Sequence, residues 1–171
     1  MIEKILVAYA SKYGSTKDIA DKVRDGLERK GHKVDIFSVE NVKDISQYQV
    51  VILGSAVYIG QWRKEAARFL KKYSQELSNK KTWLFSTGPT GEGNPVELMN
   101  GWDFPEGLKP VAEKISPRDI QVFHGFIDET RLNWLHKGMI KKVKAAIGDF
   151  RDWEAINTWI EQISQEIHNS D

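Results

Sequence analysis

The chain has 171 residues, the size of one domain, long enough to bury roughly 70% of its unfolded surface without covalent staples. It contains no cysteine, which excludes a disulfide framework, a thiol nucleophile, a CxxC redox pair and every cysteine-ligated metal site. Lys+Arg 25 against Asp+Glu 24 leaves a net charge of +1, so the balance points to no nucleic-acid partner and no acidic tail. Any electrons this protein handles must sit on a group it binds. Six tryptophans, five tyrosines and seven phenylalanines supply core, and also suit a planar ligand.

The first ten residues hold one short apolar run, far below the ~18 residues of a spanning helix. They lack the h-region and cleavage site of a signal peptide, so the expected location is cytoplasmic, with peripheral contact to the inner face of the membrane left open. Ile5–Tyr9 is a continuous apolar run, as in a strand buried on both faces. Ile19, Val23 and Leu27 then repeat at helical spacing up to Gly31. Val34–Phe37 reads as a second strand, followed by an amphipathic turn around Val42–Tyr48. Val50–Leu53 is a third strand ending at Gly54, and Trp62, Ala66, Phe69, Leu70, Tyr73 and Leu77 mark one helix. Thr82–Phe85 and Ile120–Phe123 are strands four and five. Asp152 is placed to cap a last helix striped by Trp153, Ile156, Ile160, Ile163 and Ile167.

Strand alternating with helix predicts a parallel α/β sheet with helices on both faces, doubly wound in the order 2-1-3-4-5. Residues 1–171 read as a single domain. Two stretches exceed a minimal version of it: an irregular, Gly- and Pro-rich loop at about 92–119, and an extra basic helix at about 131–148.

Ligands of such a sheet bind beyond the carboxyl ends of strands one and three. After strand one, Ser11-Lys12-Tyr13-Gly14-Ser15-Thr16 opens into a helix, and its hydroxyls, glycine and free amides suit a single terminal phosphate, with Lys12 at the rim. The competing reading is an ordinary turn capped by Ser15 or Thr16. GxxxxGK[ST] and GxGxxG are both absent, so neither a nucleoside triphosphate nor a dinucleotide finds its usual cradle. After strand three, Gly54–Trp62 offers Ala56, Val57, Tyr58, Ile59, Gly60 and Trp62 as an apolar slot for a planar heteroaromatic ring. For Trp62 a start to the next helix's core stripe fits equally well. Ser86, Thr87, Gly88, Pro89 and Gly91 form a third wall. A receiver domain would need an aspartate ending strand three and acids after strand one; a phosphatase of this shape would need cysteine. Neither is present.

These three loops resemble those of the flavodoxins. Ser11–Thr16 matches their phosphate loop (T/S-x-T-G-x-T), departing only at Tyr13, and the likeness covers nearly the whole chain. More narrowly, the chain is similar to the menaquinone-dependent protoporphyrinogen oxidase branch and its uncharacterised relatives. That likeness rests on Gly54–Gly60 with an aromatic soon after, the extra basic helix, and Gly148–Glu154 opening the last helix; the segment 92–119 is more like the uncharacterised relatives.

The resemblance implies a flavoprotein: FMN with its phosphate in the first loop, its ring between the second and third, and Gly60 near the ring's N5, where a peptide flip can answer reduction. It implies an FMN-dependent oxidoreductase of porphyrin biosynthesis, passing electrons from a porphyrinogen to a quinone. The alternatives are a shuttle flavodoxin serving redox protein partners, which a charge of +1 disfavours, and a regulatory domain without turnover.

No catalytic residue and no metal site is assigned. His32, His124, His136 and His168 are scattered, with His124 read as hydrogen-bonded core; Asp149 and Asp152 are read as helix caps. In the extra helix, Leu132, Leu135, Met139, Ile140, Val143 and Ile147 form an apolar stripe, and Arg131, Lys137, Lys141, Lys142 and Lys144 supply charge without an acid between Arg131 and Lys144. Such a helix either packs on the sheet behind a solvated basic face or lies on an anionic bilayer.

Overall fold

The computed structural model describes residues 2–143 and 145–170. Strands β1 (Lys4–Ala10), β2 (Lys33–Ser38), β3 (Val50–Tyr58), β5 (Lys81–Thr87) and β6 (Asp119–Phe123) form a parallel sheet ordered β2-β1-β3-β5-β6, with the two-residue β4 (Gln61–Trp62) folded back antiparallel on β3. Without that short strand this is the doubly wound order expected from the sequence.

Residues 5–8 of β1 are fully buried because both faces of the sheet are covered. Ile5 and Val7 face α1 (Ser15–Arg29) and α7 (Trp153–His168); Leu6 and Ala8 face α2 (Lys64–Lys72), α3 (Ser74–Leu77) and α5 (Lys109–Ile115). Helices α1 and α7 approach closely at Gly26, where a Cβ would stand 2.9 Å from Ile160. The Asp152 carboxylate caps α7 by accepting from the Ala155 amide at 3.0 Å.

Five segments depart from the sequence reading. Strand β3 runs on to Tyr58 and hairpins into β4, since small residues and a two-residue turn make a continuous ribbon where composition suggests a loop. The helix expected to begin at Trp62 begins at Lys64 and breaks at Tyr73. The 3-10 turn lies at Val39–Asn41, ahead of the segment 42–48. The segment 92–119 carries α4 (Pro95–Leu98), started by the Asn94 side chain, and α5. The extra helix α6 spans Trp134–Val143; Lys144 and the side chain of Val143 lie outside the described residues. Strands β7 (Phe126–Ile127) and β8 (Gly148–Asp149) pair to form its stem.

Candidate functional site

Three strand ends and two insertions converge on a cavity of about 630 Å³. Its floor is the turn from β1 to α1. Gly14 precedes the helix at φ 95°, a left-handed conformation that glycine adopts without cost, and among the described residues no side chain caps the helix start. The first-turn amides therefore remain free donors beside the cavity. Neither Ser15 nor Thr16 caps them, so the side-chain cap expected of an ordinary turn is absent among the described residues. Ser11 Oγ accepts from the Gly14 amide at 3.1 Å and Ser15 Oγ from the Phe126 amide at 3.2 Å, leaving each hydroxyl hydrogen available to a ligand. Thr16 is fully buried and hydrogen-bonded to Thr87 at 2.6 Å, locking floor to wall. The Arg131 guanidinium lies against Gly14, with Lys12 exposed at the rim.

The second wall is the β3–β4 hairpin. Its turn residues Ile59 and Gly60 have φ 49° and 68°, the left-handed pair that a two-residue turn of matching twist requires. For β-branched Ile59 that conformation is strained, and the side chain is 78% exposed. Trp102, from the segment after α4, donates its indole N–H to the Gly60 carbonyl at 3.1 Å. Ala56, Val57, Tyr58, Ile59 and Gly60 line the cavity. Trp62 does not: it is buried in the core, edge-on to Phe104 at 5.1 Å, with its N–H donated to Ser86 at 2.8 Å.

Thr87, Gly88 and Pro89 form the third wall together with Thr90, whose hydroxyl oxygen is buried without a hydrogen-bond partner among the described residues. His124 ties this loop to β6 through the carbonyls of Gly93 (2.7 Å) and Pro89 (3.3 Å), in keeping with a core role.

Helix α6 closes the outer side. Leu132, His136, Met139 and Ile140 turn inward, joined across the cavity by Leu98, Met99 and Trp102. His136 hydrogen-bonds to Tyr13, lies 3.5 Å from the Lys12 ammonium, and stacks at 16° on Tyr58 with centroids 5.8 Å apart. An ammonium only donates, so a bond from Lys12 requires one ring nitrogen, Nε2, to be unprotonated. Protonating the second nitrogen would oppose Lys12, and burial together with Lys12 and Arg63 holds His136 below its usual range. Burial raises the Tyr58 phenol above its usual range, keeping it neutral. Arg151 anchors the stem of α6, bonded to Asp149 and Asp18 and stacked between Phe126 and Trp153.

Of the residues expected at a cofactor from sequence, Ser11, Lys12, Tyr13, Ser15 and Thr16, the hairpin five, and Thr87, Gly88 and Pro89 line one cavity; Gly14, Trp62, Ser86 and Gly91 do not. Unexpected lining residues are Thr90, Trp102, His136 and the apolar side chains of the two insertions. Only helical spacing in α6 signalled any of these, and it did not tell which side faced inward. Uncapped amides with two free hydroxyls, an orphaned buried hydroxyl and an apolar slot beside Tyr58 fit a phosphate-bearing planar ring such as FMN.

Several known proteins are similar to this chain. A protoporphyrinogen IX dehydrogenase [quinone] of Escherichia coli strain K12 is 20% identical, with 94% of both chains covered. Among solved structures, Fusobacterium nucleatum flavodoxin bound to flavin mononucleotide is 18% identical with a TM-score of 0.58, covering 96% of this chain and 98% of that one. A Streptococcus pneumonia TIGR4 flavodoxin is 17% identical with a TM-score of 0.56, over 98% and 99%. The flavodoxin domain family model matches residues 6–153, most of the fold and all three loops, and the chain belongs to that family.

Proposed function

We propose that this chain is an FMN-dependent oxidoreductase that takes electrons from a small planar apolar donor, of which a porphyrinogen is the leading candidate, and gives them to a quinone. The observation that carries this reading is the outer wall: Leu98, Met99, Trp102, Leu132, Met139 and Ile140 extend the cavity beyond the strand ends with apolar surface. A shuttle that meets protein partners needs the ring edge open, and two insertions that wall the outer side of the cavity speak against that. The name of the Escherichia coli relative supports the donor and acceptor classes.

In this reading the α1 amides, Ser11 Oγ and Ser15 Oγ hold the phosphate, with Lys12 and Arg131 balancing its charge. Tyr58 and Val57 face the ring, and Thr90 offers its unpartnered hydroxyl to a polar edge. The outer wall excludes water and orients the donor. Bound FMN supplies the electron-accepting ring, and each two-electron, two-proton oxidation of the donor is matched by reduction of one quinone to its quinol.

The test is the visible spectrum of the purified protein with identification of the released flavin, then turnover of protoporphyrinogen with a menaquinone analogue. Ser15→Ala should weaken FMN by about 1.5–3 kcal/mol while leaving riboflavin affinity nearly unchanged. A protein that leaves FMN fluorescence unaltered overturns the reading. One that binds FMN but reduces only redox proteins restores the shuttle.

A further inference from the structure

We propose that the outer face of α6 is a docking surface for an anionic lipid bilayer. The sequence leaves two readings of this helix open, and the structure separates its sides. Leu132, His136, Met139 and Ile140 are spent on the cavity wall. The opposite side presents Trp134, Leu135, Lys137, Gly138, Lys141 and Lys142, all exposed. Trp134 is 84% exposed and Leu135 55%, unusual for large apolar side chains in a helix whose other side already has a partner. Ile147, following the helix, is 51% exposed.

Two properties choose the occupant. At 100° per residue, Trp134, Lys137 and Lys141 fall on one stripe and Leu135 with Lys142 on the next, so apolar and cationic groups interleave on a convex surface. An indole and long lysine stems beside their charges suit the headgroup–acyl boundary, where rings sit at interface depth and ammonium groups reach lipid phosphates. The residues from Arg131 to Lys142 include no acid, so a second copy of this face would set lysine against lysine. Arg131 is not part of the surface, because it turns to Asp128 and Gly14. The proposal does not depend on which molecule the cavity holds.

The experiment is sedimentation of the purified, FMN-loaded full chain with vesicles of phosphatidylglycerol and phosphatidylcholine, or of phosphatidylcholine alone, at 50 and 500 mM salt. Binding is expected to the anionic vesicles at low salt and to fall at high salt. Each of Lys137→Gln, Lys141→Gln and Lys142→Gln should weaken it about fivefold, with far-UV dichroism unchanged. Trp134→Phe should remove the blue-shifted part of the tryptophan emission that appears with vesicles. Failure to sediment with anionic vesicles at 50 mM salt, equal binding to phosphatidylcholine alone, or an unaffected triple Gln variant overturns the proposal. Because FMN content is read separately by absorbance, loss of vesicle binding is distinguishable from failure of the flavin reading.

Discussion

The inner and outer halves of the cavity are built by different means. The inner half is backbone at the ends of β1, β3 and β5, set by a parallel ladder and packed against fully buried residues such as Leu53, Leu84 and Phe85. The outer half is the hairpin tip, the residues after α4 and helix α6, held by a few polar links: Trp102 to Gly60, His136 to Tyr13, Arg151 to its two aspartates. Groups in the inner half move only if the core moves. Groups in the outer half can be altered locally, which is where a fold common to many functions gains selectivity.

The sharpest contrast should come from Gly54→Ala. A Cβ there would stand 2.0 Å from the ring of Phe85, which is itself fully buried, so the substitution should cost about 3 kcal/mol of global stability. An unchanged urea midpoint would show the inner half to be more pliable than its packing implies. Next in size is Arg151→Lys, which keeps the charge but loses the forked bonding to Asp149 and the stacking on Phe126 and Trp153. The carboxylates it meets are partly exposed, which trims the expected loss to about 1–2 kcal/mol. Limited proteolysis should then begin in the β7–β8 stem and α6 rather than in the sheet.

Trp102→Phe retains the apolar wall and removes only the donor to Gly60, for about 1 kcal/mol. Amide exchange should quicken at the hairpin tip and stay unchanged in the centre of β3; equal acceleration in both would erase the proposed boundary. The smallest effect should come from acid. His136 is held below its ordinary value of 6.5, so the folded wall favours the neutral ring. Its contribution is complete above that value and is lost as pH falls through the lowered folded value. Exchange in α6 should rise on acidification below about 6.5 before the core responds, and His136→Gln should abolish that early rise.

How much of this was legible in the sequence follows the same division. Unbroken apolar runs at Ile5–Tyr9 and Val50–Leu53, helical stripes in α1 and α7, and the Asp152 cap each carry a local cause, and the structure keeps all of them. The Ser11–Thr16 turn was equally readable, because hydroxyls, a glycine and a helix start are adjacent in the chain. The hairpin tip was less so. Gly54-Ser55-Ala56 looks like a loop by composition, whereas its ladder partners Phe85, Ser86 and Thr87 hold it extended. Trp62 was undecidable between slot and core until Phe104 and Ser86 supplied its partners.

Sequence by itself therefore determined the alternating α/β order, the family and the three loops at the strand ends, since periodicity and turn chemistry act within a few residues. Only tertiary structure decided which side of α6 faces the cavity, that His136 meets Tyr13 from 123 positions away, and that Trp102 reaches back 42 positions to Gly60. An amphipathic pattern states that a helix has two sides, but which surface each one meets depends on chain segments distant in sequence, and only the tertiary fold brings those together.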